Sequence, residues 1–252
     1  MVTLRAHGDG SIFADHRDGR QPCLLGLHGW GRDRRDLGSM LSATGHVSLA
    51  PDLPGFGASA EPPQAWGAAS YAAALAEQVL ASDGCAPYVV IGHSFGGRVA
   101  VCLAANHPEL VTGLVLMGVP LLRLGAAKRP PARYRLVRAS ARVRLLSPSR
   151  LEAARRRFGS DDYRALSGVM RDVLVRVVNE DYRDELERIR CPVALVWGCE
   201  DRVVPFQVAA RAVDHIDRVA GLQSVKGAGH DVHLDDPQAV VSAVAALVAA
   251  SA

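Results

Sequence analysis

Three residues of this chain, Ser94, Asp201 and His230, have the types that nucleophilic acyl chemistry requires, and each follows a short apolar run. Ser94 stands in Gly92-His93-Ser94-Phe95-Gly96, Asp201 closes Gly198-Cys199-Glu200-Asp201, and His230 ends Lys226-Gly227-Ala228-Gly229-His230. A serine hydroxyl is a weak nucleophile at neutral pH and needs an imidazole to take its proton. The imidazole in turn needs a carboxylate to fix its tautomer and stabilise its cation. The chain order Ser, Asp, His is the one that accompanies a Gly-x-Ser-x-Gly turn between a strand and a helix. That pentapeptide alone fits equally a tight turn that happens to contain a serine, so the surrounding elements have to decide.

Those elements alternate. Residues 89–91, Val-Val-Ile, read as a strand buried on both faces, and residues 95–106 read as a helix with Val99 and Leu103 facing inward. Glycines at 92 and 96 let two backbones pass closely while Ser94 is held at the tip in a strained conformation. Residues 3–5 and 11–15 form a hairpin through Gly8-Asp9-Gly10, and residues 23–27 form the first fully apolar strand, ending in His28-Gly29-Trp30-Gly31. Asp33 offers a cap for a helix through Leu41. A strand over 47–50, a helix over 70–82, and strands over 114–117, 193–197 and 222–225 follow, with an alanine-rich closing helix over 239–252. Strands alternating with helices predict a mostly parallel sheet covered on both faces. Functional groups then gather outside the carboxyl ends of the strands.

Residues 121–190 differ from the rest. They show no strand signal and carry 18 Lys and Arg against 9 Asp and Glu, whereas the remainder has 11 against 17. The stripe Leu166, Val169, Met170, Val173, Leu174 and Val177 predicts a helix opened by Ser160-Asp161-Asp162, and Ser147-Pro148 opens another. The segment reads as a helical lid inserted into a core formed by residues 1–120 and 191–252. Arg135, Arg138 and Arg142 share one helical face and Arg155, Arg156 and Arg157 cluster, which fits either a solvated surface or steering of an anionic substrate. Nucleic acid is a poor partner, because the clusters lack interleaved aromatic residues.

The chain has 252 residues, 49% of them hydrophobic and 22% charged, enough for one compact domain with a large core. Residues 1–20 are broken by charges and glycines, and no run is long enough to span a membrane, so a soluble, cytoplasmic protein is expected. The five cysteines are scattered and are expected to be free thiols. No His, Cys, Asp or Glu set has metal-ligand spacing, and no dinucleotide or phosphate-loop glycine pattern occurs, so the chemistry is expected to need no cofactor or metal. The sequence leaves the oligomeric state open.

Taken together, His28-Gly29-Trp30-Gly31, Asp52-Leu53-Pro54-Gly55-Phe56-Gly57, Gly92-His93-Ser94-Phe95-Gly96-Gly97, Gly198-Cys199-Glu200-Asp201 and Gly229-His230 resemble the α/β-hydrolase superfamily, in particular its small lidded esterase-like members. The resemblance implies an eight-stranded, mostly parallel sheet flanked by helices, with Ser94 as nucleophile, His230 as general base and acid, and Asp201 as orienting carboxylate. It puts the oxyanion hole at the backbone N–H groups of Trp30 and Phe95. Glu200 is the main rival acid, since the loop register is uncertain by a residue, and Asp231, Asp235 and Asp236 are nearby. His28, His93 and His233 flank the site as candidate pocket residues, with hydrogen-bonded support as their alternative role. The implied activity is cleavage of a small carboxylic ester or related acyl compound through an acyl-enzyme. Carbon–carbon bond hydrolysis, lyase or perhydrolase chemistry keeps the same triad, although Asp231 stands where carbon–carbon hydrolases often have tryptophan. A ligand-binding sensor with vestigial turnover is a third reading.

Overall fold

The computed structural model describes residues 1–124 and 166–250. Eight strands form one sheet in the order β1-β2-β4-β3-β5-β6-β7-β8. They are β1 (Val2–His7), β2 (Ile12–Arg17), β3 (Arg20–Leu27), β4 (His46–Pro51), β5 (Tyr88–His93), β6 (Val111–Met117), β7 (Val193–Gly198) and β8 (Val219–Val225). β1 pairs antiparallel with β2, and β2 with β4; from β4 to β8 every neighbouring pair is parallel. The expected mostly parallel sheet is therefore present, with an antiparallel hairpin on one edge.

The apolar runs read as strands because they fill both faces. Leu25, Leu27 and Val90 join one core cluster, while Leu24, Val89 and Ile91 join the other. On the first face lie helices Ala68–Leu75 and Ser94–Asn106; on the second lie Gly38–Thr44 and Pro237–Ala250. Helix Gly168–Val177 buries Met170, Val173, Leu174 and Val177 of the expected stripe, and Met170, Val173 and Val177 join the first core; Val169 is only half-buried, and Leu166 precedes the helix, because residues 166 and 167 are not helical. Residues 121–124 and 166–190 contain no strand. The helix starts expected at Ser147 and Ser160, and the arginine clusters at 135–142 and 155–157, lie outside the described residues. Among the described residues no helix is long and apolar enough to cross a membrane.

Two expectations need correction. The helix after Trp30 begins at Gly38, not at Asp33. The Asp33 carboxylate instead accepts the Arg35 N–H at 2.9 Å and the Arg35 guanidinium, which closes a local turn. The second correction concerns the thiols: Cys23 and Cys85 form a disulfide with their Cα atoms 6.0 Å apart, while Cys102, Cys191 and Cys199 are free. Cys23 pairs in register with Tyr88, so β3 and β5 bring Cys85, three residues before β5 begins, close to it, within ordinary bridging distance. Such bridges persist mainly in oxidising compartments.

Candidate active site

Residues 92–97 make a tight corner. Ser94 has φ +47°, a left-handed conformation that is costly for a residue with a Cβ and is held only where the surroundings dictate it. The surroundings do so by close approach. A Cβ on Gly92 would stand 2.5 Å from Gly97 Cα, and one on Gly96 would lie within 2.5 Å of the Leu27 backbone. β5 and the helix Ser94–Asn106 thus meet with no room for side chains, and the serine projects beyond the sheet at the helix N-terminus.

His230 Nε2 lies 3.1 Å from Ser94 Oγ, and His230 Nδ1 lies 2.9 Å from Asp201 Oδ2. The geometry assigns the hydrogens. An ionised carboxylate only accepts, so Nδ1 carries the hydrogen and Nε2 is left to accept from the serine hydroxyl. Asp201 is itself fixed, because its Oδ1 accepts the N–H groups of Val203 and Val204, each at 2.8 Å. Burial pushes the Asp201 pKa up, but His230 and the Val204 and Val203 amides outweigh it and hold the carboxyl below its ordinary value of 3.8. Gly118, just past β6, faces the imidazole; a Cβ there would stand 3.0 Å from His230 Cε1.

The other acidic residues are engaged elsewhere. Glu200 is exposed. Asp231 pairs with Arg32 at 2.8 Å, Asp235 accepts the Gly229 N–H at 2.7 Å, and Asp236 accepts the Ala239 N–H at 3.1 Å. Asp201 is the carboxylate that His230 meets.

Trp30 and Phe95, the expected oxyanion donors, lie side by side with ring centroids 5.2 Å apart. Phe95 occupies the first turn of its helix, where N–H groups have no intrahelical acceptor. Their rings, with Phe56 and Tyr71, form an aromatic group beside the serine, in edge-to-face contact except for the tilted Phe56–Phe95 pair. Tyr71 also donates to the Pro54 carbonyl at 3.1 Å. The Asp52-Leu53-Pro54-Gly55-Phe56-Gly57 loop is set by Asp52, which is fully buried. It accepts from Arg34 N–H at 2.6 Å, Arg34 Nη1 at 2.6 Å and Ala58 N–H at 2.8 Å. Arg34 was not singled out in the sequence; its only signal is its place in an arginine-rich stretch after Trp30.

The three flanking histidines are buried. His28 accepts the Leu53 N–H on Nε2 at 3.0 Å, so its Nδ1 donates to the Gly29 carbonyl at 2.8 Å. His93 and His233 are each 2% exposed and lie behind His230, with His93 Nε2 donating to the His230 carbonyl at 3.1 Å. Burial pushes the His28 pKa below its ordinary 6.5 against the opposing effect of the Gly29 carbonyl. A histidine held neutral in the fold contributes stability that is complete above its unfolded pKa and is lost as pH falls toward its folded pKa. The His28→Gln variant keeps a donor and an acceptor at this position. Chemical denaturation across the acid range should therefore show a steeper loss of stability below about pH 6.5 in the wild type than in the variant. Parallel acid limbs would mean that His28 takes up its proton in the folded state.

Residues 24–243 match the model of the alpha/beta hydrolase family. The chain is 29% identical over 211 residues to a 2-hydroxy-6-oxononadienedioate/2-hydroxy-6-oxononatrienedioate hydrolase of Burkholderia vietnamiensis, covering 75% of this chain and 71% of that protein. It is 27% identical over 259 aligned positions to esterase Rv0045c of Mycobacterium tuberculosis, covering 93% and 85%. An esterase from Exiguobacterium antarcticum shares the fold with a TM-score of 0.71 at 20% identity, over 98% of this chain and 99% of the other.

Proposed function

The chain belongs to the alpha/beta hydrolase family, and from that premise we propose that it is a serine hydrolase of carboxylic esters or related acyl compounds, with Ser94, His230 and Asp201 as its triad. The observation that carries the reading is the continuous relay from Ser94 Oγ through His230 to Asp201, at 3.1 and 2.9 Å. Ser94 Oγ attacks the acyl carbon as its proton passes to His230 Nε2, and the new negative oxygen is met by the N–H groups of Trp30 and Phe95. Each such donor is worth about 10²–10³ in rate. His230 then protonates the departing alcohol, leaving an acyl group on Ser94. Water, deprotonated by the same imidazole, releases the acid. None of these steps calls on a cofactor. Similarity to an esterase over 93% of the chain supports the ester assignment.

Residues 121–190 are proposed as the cap that selects the substrate, since specificity in such folds resides in what covers the strand ends. Its basic balance suits an anionic acyl compound. A second reading, cleavage of an oxo-dioate by the same triad, is favoured by the similarity to the dienedioate hydrolase.

Rapid-mixing hydrolysis of activated esters tests the reading. A burst of alcohol equal to about one per chain should precede the steady state, and kcat/KM for a carboxylate-bearing ester should fall with added salt while a neutral ester of similar size responds little. Absence of ester turnover together with cleavage of an oxo-dioate would transfer the assignment to the second reading. Absence of both would overturn the hydrolase proposal.

A further inference from the structure

Behind His230 sits a second cluster that the relay does not use. Asp36 comes from the segment after Trp30, His93 immediately precedes Ser94, and His233 lies on the short helix Val232–Asp235 that follows His230. One potential ligand atom from each lies within 4.8 Å of the other two. Their side chains are 4%, 2% and 0% exposed.

Asp36 Oδ1 meets Arg32 Nη1 at 3.5 Å and His233 Nε2 at 3.3 Å, whereas one other polar atom on each of the three residues has no hydrogen-bond partner. His93 Nε2 faces only acceptors, the His230 carbonyl at 3.1 Å and Asp231 Oδ1 at 3.6 Å, so it carries the hydrogen and Nδ1 is bare. His233 Nε2 faces Asp36 Oδ1 at 3.3 Å, which leaves His233 Nδ1 bare in turn. Among the described residues, Asp36 Oδ2, His93 Nδ1 and His233 Nδ1 are each buried without a hydrogen-bond partner. Asp36 Oδ2 and His93 Nδ1 lie 3.9 Å apart beside the His233 ring, and unsatisfied buried atoms of this kind are costly unless something electropositive meets them. A Cβ on Gly29 would stand 2.8 Å from His93 Nδ1, so the glycine keeps that side of the nitrogen open.

We propose that Asp36, His93 and His233 form a binding site for a divalent transition-metal ion of the zinc type, separate from the triad. Two imidazoles and one carboxylate are a borderline-soft set that suits zinc, cobalt or nickel better than magnesium or calcium, which take oxygen ligands. Zinc takes such ligands at about 2.0–2.2 Å. The ion's role is structural. It would tie the segment after Trp30, the serine corner and the histidine loop to one another, and His93 would pass that rigidity to the His230 carbonyl.

The full chain, stripped with a chelator, is titrated with Co²⁺ and then with Zn²⁺, following visible absorption and the thermal midpoint. The expected result is saturable uptake of about one equivalent, with ligand-field bands, no thiolate charge-transfer band, displacement by Zn²⁺ and a raised midpoint. Asp36→Asn and His233→Gln should each weaken binding by at least about tenfold, whereas His16→Gln, in the His7–His16 pair on β1 and β2, should bind like the wild type. No saturable binding to the wild type, a thiolate band that assigns the ion to exposed Cys199, or unchanged affinity in both cluster variants overturns the site. Should neither variant fold, the wild-type cobalt spectrum alone decides.

Discussion

Ser94→Ala should reduce ester turnover to a residue of less than about a hundredth of the wild-type rate, in keeping with losses of up to about 10⁶ when a triad nucleophile is removed. The fold should survive, because the side chain is small and only partly buried and the corner is held by glycine contacts on either side of it. Substrate binding should change little, since the aromatic group of Trp30, Phe56, Phe95 and Tyr71 is untouched. A fall in kcat at nearly constant KM is therefore the expected signature. A variant retaining a tenth or more of the turnover would mean that another group attacks the acyl carbon.

Asp201→Asn should lower kcat by about 10³–10⁴, equivalent to about 4–5.5 kcal/mol of transition-state stabilisation. An amide can present its NH₂ to His230 Nδ1, which turns the hydrogen onto Nε2 and removes the acceptor that the Ser94 hydroxyl needs. Glu200→Gln and Asp231→Asn should each cost far less, since Glu200 is exposed and Asp231 is paired with Arg32. Stability carries a matching signature. The Asp201 carboxyl is held below 3.8, so its contribution is complete above the unfolded pKa and is lost as pH falls through the lower folded value. Wild type and Asp201→Asn should therefore differ in stability at neutral pH and converge in strong acid. Greater damage from Glu200→Gln than from Asp201→Asn would show that the neighbouring carboxylate orients the histidine.

What the sequence discloses here is what is local. The strand over 89–91, the glycines at 92 and 96, and the serine between them are contiguous, so pattern and chemistry can be read together. The order of Ser94, Asp201 and His230 is likewise visible, because each punctuates a strand end. The choice between Glu200 and Asp201 is not, since a one-residue slip in a loop costs no pattern; in the fold Asp201 Oδ2 meets His230 while its Oδ1 is held by the amides of Val203 and Val204. Asp33 reads as a helix cap until Arg35 takes its carboxylate. The Cys23–Cys85 bridge spans 62 residues, and Asp36 meets His233 across 197, distances over which one sequence has no periodicity to offer. His93 and His233 draw notice as residues beside the site, yet their shared partner Asp36 carries no signal at all.

Mass spectrometry of the protein after brief exposure to a fluorophosphonate reads out activation of Ser94 itself, because this reagent bonds to a serine only when a base has activated it. A single adduct is expected on the peptide carrying Ser94, formed in the wild type, strongly slowed in Asp201→Asn and absent in Ser94→Ala. An unlabelled wild type, or an adduct on any other residue, would contradict it.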